Sequence, residues 1–365
     1  DALRVLNAVP GVGRAVIRKL LAGCGSAAAV LDRDADQLVR MTGIPPESAE
    51  AIRRLDAARF LSAEQSLLTA AQVRVMSFQD QDFPRLLREI PDAPLLLYIM
   101  GQILPADELA VAVVGSRRAS PYGRSVAERF AAQLAGVGIT VVSGLARGID
   151  TAAHQGCLRA RGRTLAVLGG GLGCVYPREN KNLFDRVAAK GAVISEFPMA
   201  AEPRPFFFPM RNRIISGLSL GVLVVEAAKN SGALITSRLA LEQGREVFAV
   251  PGNLDQTTAW GTNDLIRQGA RLVSGVEDIL EELAPRLRAN QPAAGLFCDP
   301  GQEKVENTLS DPEGQVYNHI SRQPVALDDL VLSCERSAGE LSGILLSLEM
   351  KGLVRSLPGR SFVRP

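Results

Sequence analysis

The sequence predicts an α/β protein: a doubly wound, mostly parallel sheet in the middle of the chain, a small helical domain before it, and three helices with a hairpin after it. Three observations predict this. Between about residue 71 and residue 285, nine short apolar runs alternate with helical stretches: QVRVMSF, PLLLYIM, LAVAVVG, ITVVSG, RTLAVLGG, AVISE, GVLVVEA, VFAVPG and ARLVSG. Runs of Val, Leu and Ile without polar alternation are strands buried on both faces, and helices between them imply right-handed crossovers. Residues 1–70 read only as short helices with apolar spacing, and residues 306–365 as three helices followed by the glycine-turned SLPGRSFVRP.

Bulk properties bound the function. At 365 residues the chain predicts two or three domains and an ample core. No window approaches the roughly 18 uninterrupted apolar residues of a membrane span, and no basic-then-apolar leader opens the chain, so a cytoplasmic protein is expected. The five cysteines form no CxxC pair and there are only two histidines, His154 and His319. That pattern argues against a zinc site, so no metal and no cofactor are expected. A net charge of +2 creates no overall field for nucleic acid, so any basic site must be local. Arg supplies 35 of the 41 basic residues in a chain also rich in Ala and Gly. Codon bias explains the abundance, which leaves the placement of arginines, not their number, as the informative signal.

Taken in order, the first element is LNAVPGVGRAVIRKLLAG, which sets Pro10 to Gly13 between two helical patterns as in a helix-hairpin-helix. Its glycines let the backbone come close to a ligand, and the N–H groups opening the next helix can hold a phosphate. A fainter copy at Met41 to Leu55 has Pro45 and Pro46 on the side of the second glycine. DNA contact and a protein-contact module that keeps the hairpin as a turn both remain open. The Pro-, Ala- and Gly-rich stretch at 286–305 reads as a linker. Residues 306–365 have the order of a winged helix, but the third helix offers Ser, Gly and Glu340 with scarcely any base. It is a poor duplex reader and favours protein contact or a capping role.

In an open parallel sheet the ligand lies at the carboxyl ends of the strands, beside a switch in strand order. After LAVAVVG, which ends in Gly115, come Ser116, Arg117 and Arg118; after ITVVSG come Arg147 and Asp150. RTLAVLGG ends in Gly170 and leads to YPRENK with Arg178, Asn180 and Lys181. The stretch after AVISE ends in Arg211, Asn212 and Arg213, and GVLVVEA leads to KNSGALITS with Ser231, Gly232 and Thr236. Several loops thus bring a guanidinium to one edge, and two bring small-residue helix entrances suited to an anion. A ligand with negative groups spread along an edge is implied, a phosphate backbone rather than one pyrophosphate. The GxGxxG fingerprint is absent, because GGGLG at Gly169 to Gly173 runs into Cys174, and a dinucleotide site is disfavoured.

Each residue also has a structural reading. Arg213 is either a ligand contact or a buried arginine paired with Glu196 or Glu226. Asp150 suits an N-cap for a helix starting at Thr151 better than a catalytic acid. His154 suits packing, and Phe206 to Phe208 suit core packing more than base stacking. No nucleophile stands beside a base, which favours binding over catalysis. An alternative is a nucleotide-processing enzyme of the phosphoribohydrolase type, for which PGNLDQTTAWGTNDLI is a loose echo of PGGxGTxxE with Asp264 in place of the Glu. Another is a nucleotide-sensing transcription regulator, against which the weakly basic third helix argues.

The motifs VVGSR, SGLARGID, AVLGGG with YPREN, ISEFP, FPMRNRIISGLS, VVEA with SGALIT, and GREVFAVPG follow one another over roughly residues 75–283. In that order they resemble the DNA-processing protein A family, also called Smf. The resemblance implies an extended Rossmann-like domain at 71–285 that binds single-stranded DNA, forms a homodimer, and loads a RecA-type recombinase onto incoming strands during natural transformation, with no enzymatic activity. The flanks resemble the family's sterile-alpha-motif-like or helix-hairpin-helix domain and its winged helix, further candidates for duplex DNA contact. Carried over by motif, Arg117 of GSR and Arg178 of YPR are implied to hold phosphates; the family often has Lys at the latter. The family commonly reads GLD before the YP pair, where this chain has Gly173 and Cys174 in GLGCVYP, so no role is carried over for that Asp. A forked donor such as Arg117 recognises phosphate without reading a base.

Overall fold

A computed structural model describes residues 1–289, 311–320, 325–334, 336–351, 353–357 and 361–363. The chain divides into two compact units, Asp1–Ala289 and Asn290–Pro365. Each is described by itself.

All nine predicted runs form strands: β1 Arg74–Ser77, β2 Leu96–Gly101, β3 Ala110–Val114, β4 Thr140–Ser143, β5 Thr164–Val167, β6 Ala192–Ser195, β7 Gly221–Val224, β8 Glu246–Ala249 and β9 Arg271–Leu272. They make one sheet in the order β1-β2-β6-β5-β4-β3-β7-β8-β9. From β6 to β9 the pairing is parallel, with Val111 opposite Val141 on one side of β3 and Ala112 opposite Val222 on the other. The β1–β2 and β2–β6 pairs are antiparallel, through Val75 opposite Tyr98 and Tyr98 opposite Ser195, so β2 alone runs against the other strands. The chain moves outward from β3 through β4 and β5 to β6, then returns to lay β7 on the opposite side of β3. That reversal opens a crevice between the β3 and β7 loops.

β3 shows why an unbroken apolar run becomes a central strand. Its side chains alternate between faces, so Ala110, Ala112 and Val114 join the core that holds Ile214 and Ile215 of the helix Phe207–Gly217. Val111 and Val113 join the opposite core, with Phe130 and Leu134 of the helix Pro121–Gly136. A polar residue at any of the five positions would be buried without a partner. The helix Pro121–Gly136 begins where it does because the Ser120 hydroxyl accepts from the Gly123 amide at 2.9 Å.

The N-terminal helices enclose their own core of Leu6, Ile17, Leu20, Val30, Leu38 and Ile52. Gly11 at φ +78° and Gly43 at φ +63° turn the two hairpins, a conformation that favours glycine. This core is not sealed from the sheet: Leu95, just before β2, packs into it, while Leu68 of the helix Ala57–Ala70 packs beside Tyr98 and Phe184. The helix Arg14–Cys24, opened by the first hairpin, carries Arg14, which pairs with Asp92 at 2.9 Å and Glu196 at 3.4 Å. Arg18 donates to the Ala93 carbonyl, and Asn7 donates to the Glu196 carbonyl, both at 2.9 Å. The arginine at that helix start is therefore committed to protein carboxylates, which favours the docking reading of the hairpin over phosphate capture.

In the second unit the helices Asp311–Asn318, Leu327–Cys334 and Ala338–Met350 surround Leu330, Leu341, Leu345 and Leu348. The strands β10 Val325–Ala326, β11 Arg355–Leu357 and β12 Ser361–Val363 form an antiparallel sheet in the order β10-β12-β11. This is a winged helix. The described exposed positions of its third helix are Gly339, Glu340, Ser342, Gly343, Leu346 and Glu349, none of them basic. The helix Val276–Ala289 continues through Pro285, and residues 290–305 of the expected linker lie outside the described residues. Among the described residues no helix is long and apolar enough to cross a membrane.

Candidate functional site

The crevice between the β3 and β7 loops holds a cavity of about 850 Å³, walled by Arg117, Arg118, Phe208, Asn212, Ser231 and Thr236 among others. Local sequence fixes its floor. At Gly115 a Cβ would sit 2.6 Å from Ile149 Cγ1 and 2.9 Å from the Glu226 carbonyl, so only glycine lets the chain leave β3 this close to its neighbours. The Ser116 amide donates to the Glu226 carbonyl at 2.8 Å, and the Ile149 amide donates to the Ser116 carbonyl at 3.2 Å. The Ser116 hydroxyl accepts from the Arg118 amide at 3.1 Å. Gly148, at φ +78°, lies where any Cβ would strike the Ser116 and Arg117 carbonyls. The turn that presents Arg117 and Arg118 is thereby held from both sides.

The basic residues divide by what they already touch. The Arg117 guanidinium lies over the Phe208 ring at 4.7 Å, and Phe208 lies 5.7 Å from Tyr176. Among the described residues Arg117, Arg118 and Arg178, all exposed, have no carboxylate within ion-pairing distance. Arg147 is paired with Glu179, one contact at 3.0 Å, and that hydrogen bond and charge hold the Glu179 carboxyl below its usual range. Lys181 is paired with Asp185 and lies over Phe184.

The remaining candidates build the site or lie away from it. Arg211 is buried and donates to the carbonyls of Gly144, at 2.7 Å, and Val167, so it braces the ends of β4 and β5. Burial pulls its pKa down to about 10 against the opposing charge of Asp150, with Arg117 adding to the fall; it stays cationic at neutral pH. Asn212 and Thr236 both donate to the Gly232 carbonyl, at 3.3 and 3.5 Å, and Ser231 caps the helix Gly232–Glu242 through the Ala233 amide at 3.3 Å. The structure thus brings Gly115, Ser116, Arg117, Arg118, Arg211, Asn212, Ser231, Gly232 and Thr236 to one cavity. Arg147 lines an adjoining recess with Arg117, Arg118 and Tyr176. Five candidates fall outside both. Gly170 is buried and accepts from Ser195 at 2.7 Å, and Asn180 donates to the Leu145 carbonyl at 2.9 Å. Lys181 lines neither space, and Arg213 faces Glu196 at 2.6 Å and Asp92 at 3.2 Å. Arg213 is the buried structural arginine of the two readings, with Glu196 as its partner. Arg178 sits exposed on the 3₁₀ turn Arg178–Asn180, outside the cavity lining.

Asp150 and the phenylalanine triple depart from expectation. Asp150 is not an N-cap: the helix runs Ile149–Arg159 after Gly148, and the Asp150 carboxylate turns back to accept from the Gly144 and Ala146 amides at 3.1 and 3.4 Å. Burial pushes its pKa up, opposed by Arg211. The phenylalanine triple is not core. Phe206 is 56% exposed, Phe207 packs at 4.0 Å on Phe197, and Phe208 faces the cavity. Pro203, Pro205 and Pro209 keep this stretch on the surface until the helix Phe207–Gly217 is under way. Asp264, on which the nucleotide-enzyme reading depended, is engaged by Arg267 and Gln268 and does not line the cavity. His154 packs as expected. Thr164 gives its hydroxyl proton to Val141 and accepts at 2.7 Å from His154 Nδ1, which must therefore bear the ring proton. Glu226, Tyr176, Thr257 and Thr258 complete the site. The strand-end rule reaches the two threonines only when it is applied to the loop after β8 as well.

An unneutralised arginine pair at the switch point of a parallel sheet, with no dinucleotide fingerprint and helical modules on both flanks, defines a class: Rossmann-like proteins with a cationic crevice at their strand ends. The family model described as DNA recombination-mediator protein A matches residues 74–284, more than half of the chain. The models of a SAM-like helix-hairpin-helix tandem and of the DprA winged helix domain match residues 3–55 and 300–360. Protein Smf of Synechocystis is 37% identical over 315 residues, covering 78% of each chain. The X-ray structure of DNA processing protein A from Streptococcus pneumoniae superposes with a TM-score of 0.67 at 37% identity, over 77% of this chain and 95% of that one. A structure of DNA processing protein A from Helicobacter pylori, described for its single-stranded DNA binding mode, gives 0.53 at 28% identity over 59% and 97%. The chain belongs to the DNA recombination-mediator protein A family.

Proposed function

We propose that this protein binds single-stranded DNA without sequence preference along the Arg117 edge and acts as a recombination mediator, not as an enzyme. The observation that carries the reading is the pairing of Arg117 with Phe208: a forked cation without a carboxylate partner lies on an accessible ring at a strand end. Phosphate and base are the two chemical faces of a single strand, and this pair offers a donor for one and a π-surface for the other. Arg118 and Arg178 extend the charge, and Ser231 and Gly232 add the amide-rich entrance of a helix. Family membership supports the larger role: a cytoplasmic homodimer that loads a RecA-type recombinase onto incoming strands during natural transformation. The winged helix serves protein contact in this reading, since its third helix presents no described basic side chain to a duplex.

The test is fluorescence anisotropy of labelled single-stranded and duplex oligonucleotides across a salt series. Wild type is expected to prefer single strands. Arg117→Ala is expected to weaken binding equally on all base compositions and to lower the salt slope by about 0.7. Arg147→Ala, whose charge Glu179 already compensates, should change the slope less. A base-selective loss in Arg117→Ala, or equal binding of single strand and duplex by wild type, would overturn the assignment.

A further inference from the structure

Just outside the cavity, close in the chain to its lining residues Ala228, Asn230 and Thr258, stands a second cation–aromatic pair that the site described above does not use. Trp260, the one tryptophan of the chain, is 43% exposed, and Lys229 Nζ lies 5.2 Å from its ring centre. The half-exposed indole offers a flat π-face at the surface with a cation already beside it. Among the described residues Lys229 has no carboxylate within ion-pairing distance, in contrast to Arg147 and Lys181.

The pair is also built, not incidental. The Ala227 amide donates to the Thr258 carbonyl at 2.8 Å and the Gly261 amide donates to the Ala227 carbonyl at 2.7 Å, so the loop after β8 is zipped to the end of β7. At Gly261 a Cβ would lie 2.6 Å from the Ala227 carbonyl oxygen, and only glycine permits so close an approach. Asn263 and the Gly252 backbone exchange two further bonds at 3.1 and 2.9 Å, which pin the base of the same loop. These bonds set Lys229 and Trp260 side by side and beside the cavity residues Asn230, Ser231 and Thr258. Because β7 and β8 follow β3 in the sheet, this pair stands on the β7–β8 side of the Arg117 loop, along the same edge of strand ends.

We infer that Trp260 and Lys229 form a second nucleobase subsite, in which the indole stacks a base and the ammonium meets its phosphate. The inference rests on the single-strand reading above and extends its track from the β3 loop to the β8 loop. Surfaces that hold single strands without sequence preference repeat this combination of stacking ring and cation.

The sole tryptophan makes the test direct. Using the whole chain, intrinsic emission is titrated with unlabelled oligothymidylates of increasing length, while binding of the same oligonucleotides is followed by anisotropy. Quenching of Trp260 that begins only above a threshold length is expected. Trp260→Ala should weaken binding about 5- to 100-fold, and Trp260→Phe should retain most of the affinity. On a strand made abasic throughout, the two variants should match wild type, which separates lost stacking from a damaged fold. Binding seen by anisotropy with unchanged emission, and equal affinity in Trp260→Ala, would overturn the subsite while leaving the Arg117 site standing. Emission that follows protein concentration instead of DNA would assign the ring to a contact between copies and also overturn it. Absence of oligonucleotide binding would remove the underlying reading itself.

Discussion

Glu226, at the end of β7, accepts from both the amide of Ser120 at 2.9 Å and its hydroxyl at 2.5 Å. The two residues lie on opposite sides of the point where the sheet reverses its order. Their bond closes the crevice from beneath, while the Glu226 carbonyl takes the Ser116 amide at 2.8 Å. One residue therefore fixes both ends of the turn that carries Arg117 and Arg118. Gly123 is required by the same contact, since a Cβ there would collide with the Glu226 carboxylate.

Glu226→Ala leaves the half-buried amide and hydroxyl of Ser120 without their charged acceptor. Two hydrogen bonds to an ionised group contribute about 1.5–3 kcal/mol each, so a loss of about 3–6 kcal/mol in urea unfolding is expected. Weaker single-strand binding should accompany it without a change in salt slope, because no phosphate contact is removed. An unchanged unfolding midpoint would count against the bracing role.

Gly148→Ala strikes the same turn from the other side. The position combines φ +78° with carbonyls where the methyl would go. A strained backbone and a clash together are expected to cost at least about 1 kcal/mol. Single-strand affinity should fall although no charged group is touched. Normal affinity in a normally folded Gly148→Ala would show that the turn is not held as described.

Arg213→Ala takes from buried Glu196 its 2.6 Å partner and leaves it only the longer contact with Arg14 at 3.4 Å. Removing one partner of a buried pair costs about 3–5 kcal/mol. This should appear as lost stability, with single-strand binding little changed wherever the variant is folded. Arg117→Ala should do the reverse, and comparing the two by denaturation and anisotropy separates scaffold from contact.

Burial pushes the His154 pKa down from 6.5 to about 3, with Arg211 adding to the fall. The unfolded chain takes up a proton below about pH 6.5 and the folded chain does not until about pH 3. The unfolded state therefore binds more protons across that window, and stability declines as pH falls, by about 1.4 kcal/mol per pH unit. From pH 7 to pH 5 the expected loss is about 2 kcal/mol, and His154→Gln should abolish it. Urea midpoints at the two pH values, for both proteins, measure the difference.

The sheet was legible because its strands are buried on both faces, and burial on both faces removes polar residues from the run. AVAVV of β3 cannot be read as anything half-exposed. The site was legible as a set of loops, because parallel pairing sends every strand end to one edge. What the sequence does not carry is the partner of each charge. Arg211, Arg213 and Arg117 look alike in a string of letters, yet one braces two strands, one neutralises Glu196 and one is without a carboxylate. Those differences arise from residues more than forty positions away for Arg211 and more than a hundred for the Arg213–Asp92 contact. The Phe206–Phe208 stretch misled for a related reason: three adjacent aromatic residues suggest a core, but the prolines around them decide that the chain stays outside.

Glu196 takes Arg14 and Asn7 from the helical segment and Arg213 from the sheet side, and Leu95 and Leu68 cross the same seam in opposite directions. A boundary that shares both its ions and its oil does not behave as a hinge. Residues 1–289 should melt in one cooperative step, and a fragment trimmed to start at residue 72 would expose Leu95 and half-empty the pairing around Glu196. Anyone wishing for a smaller strand binder would have to redesign that seam, because cutting along it would produce two sticky halves.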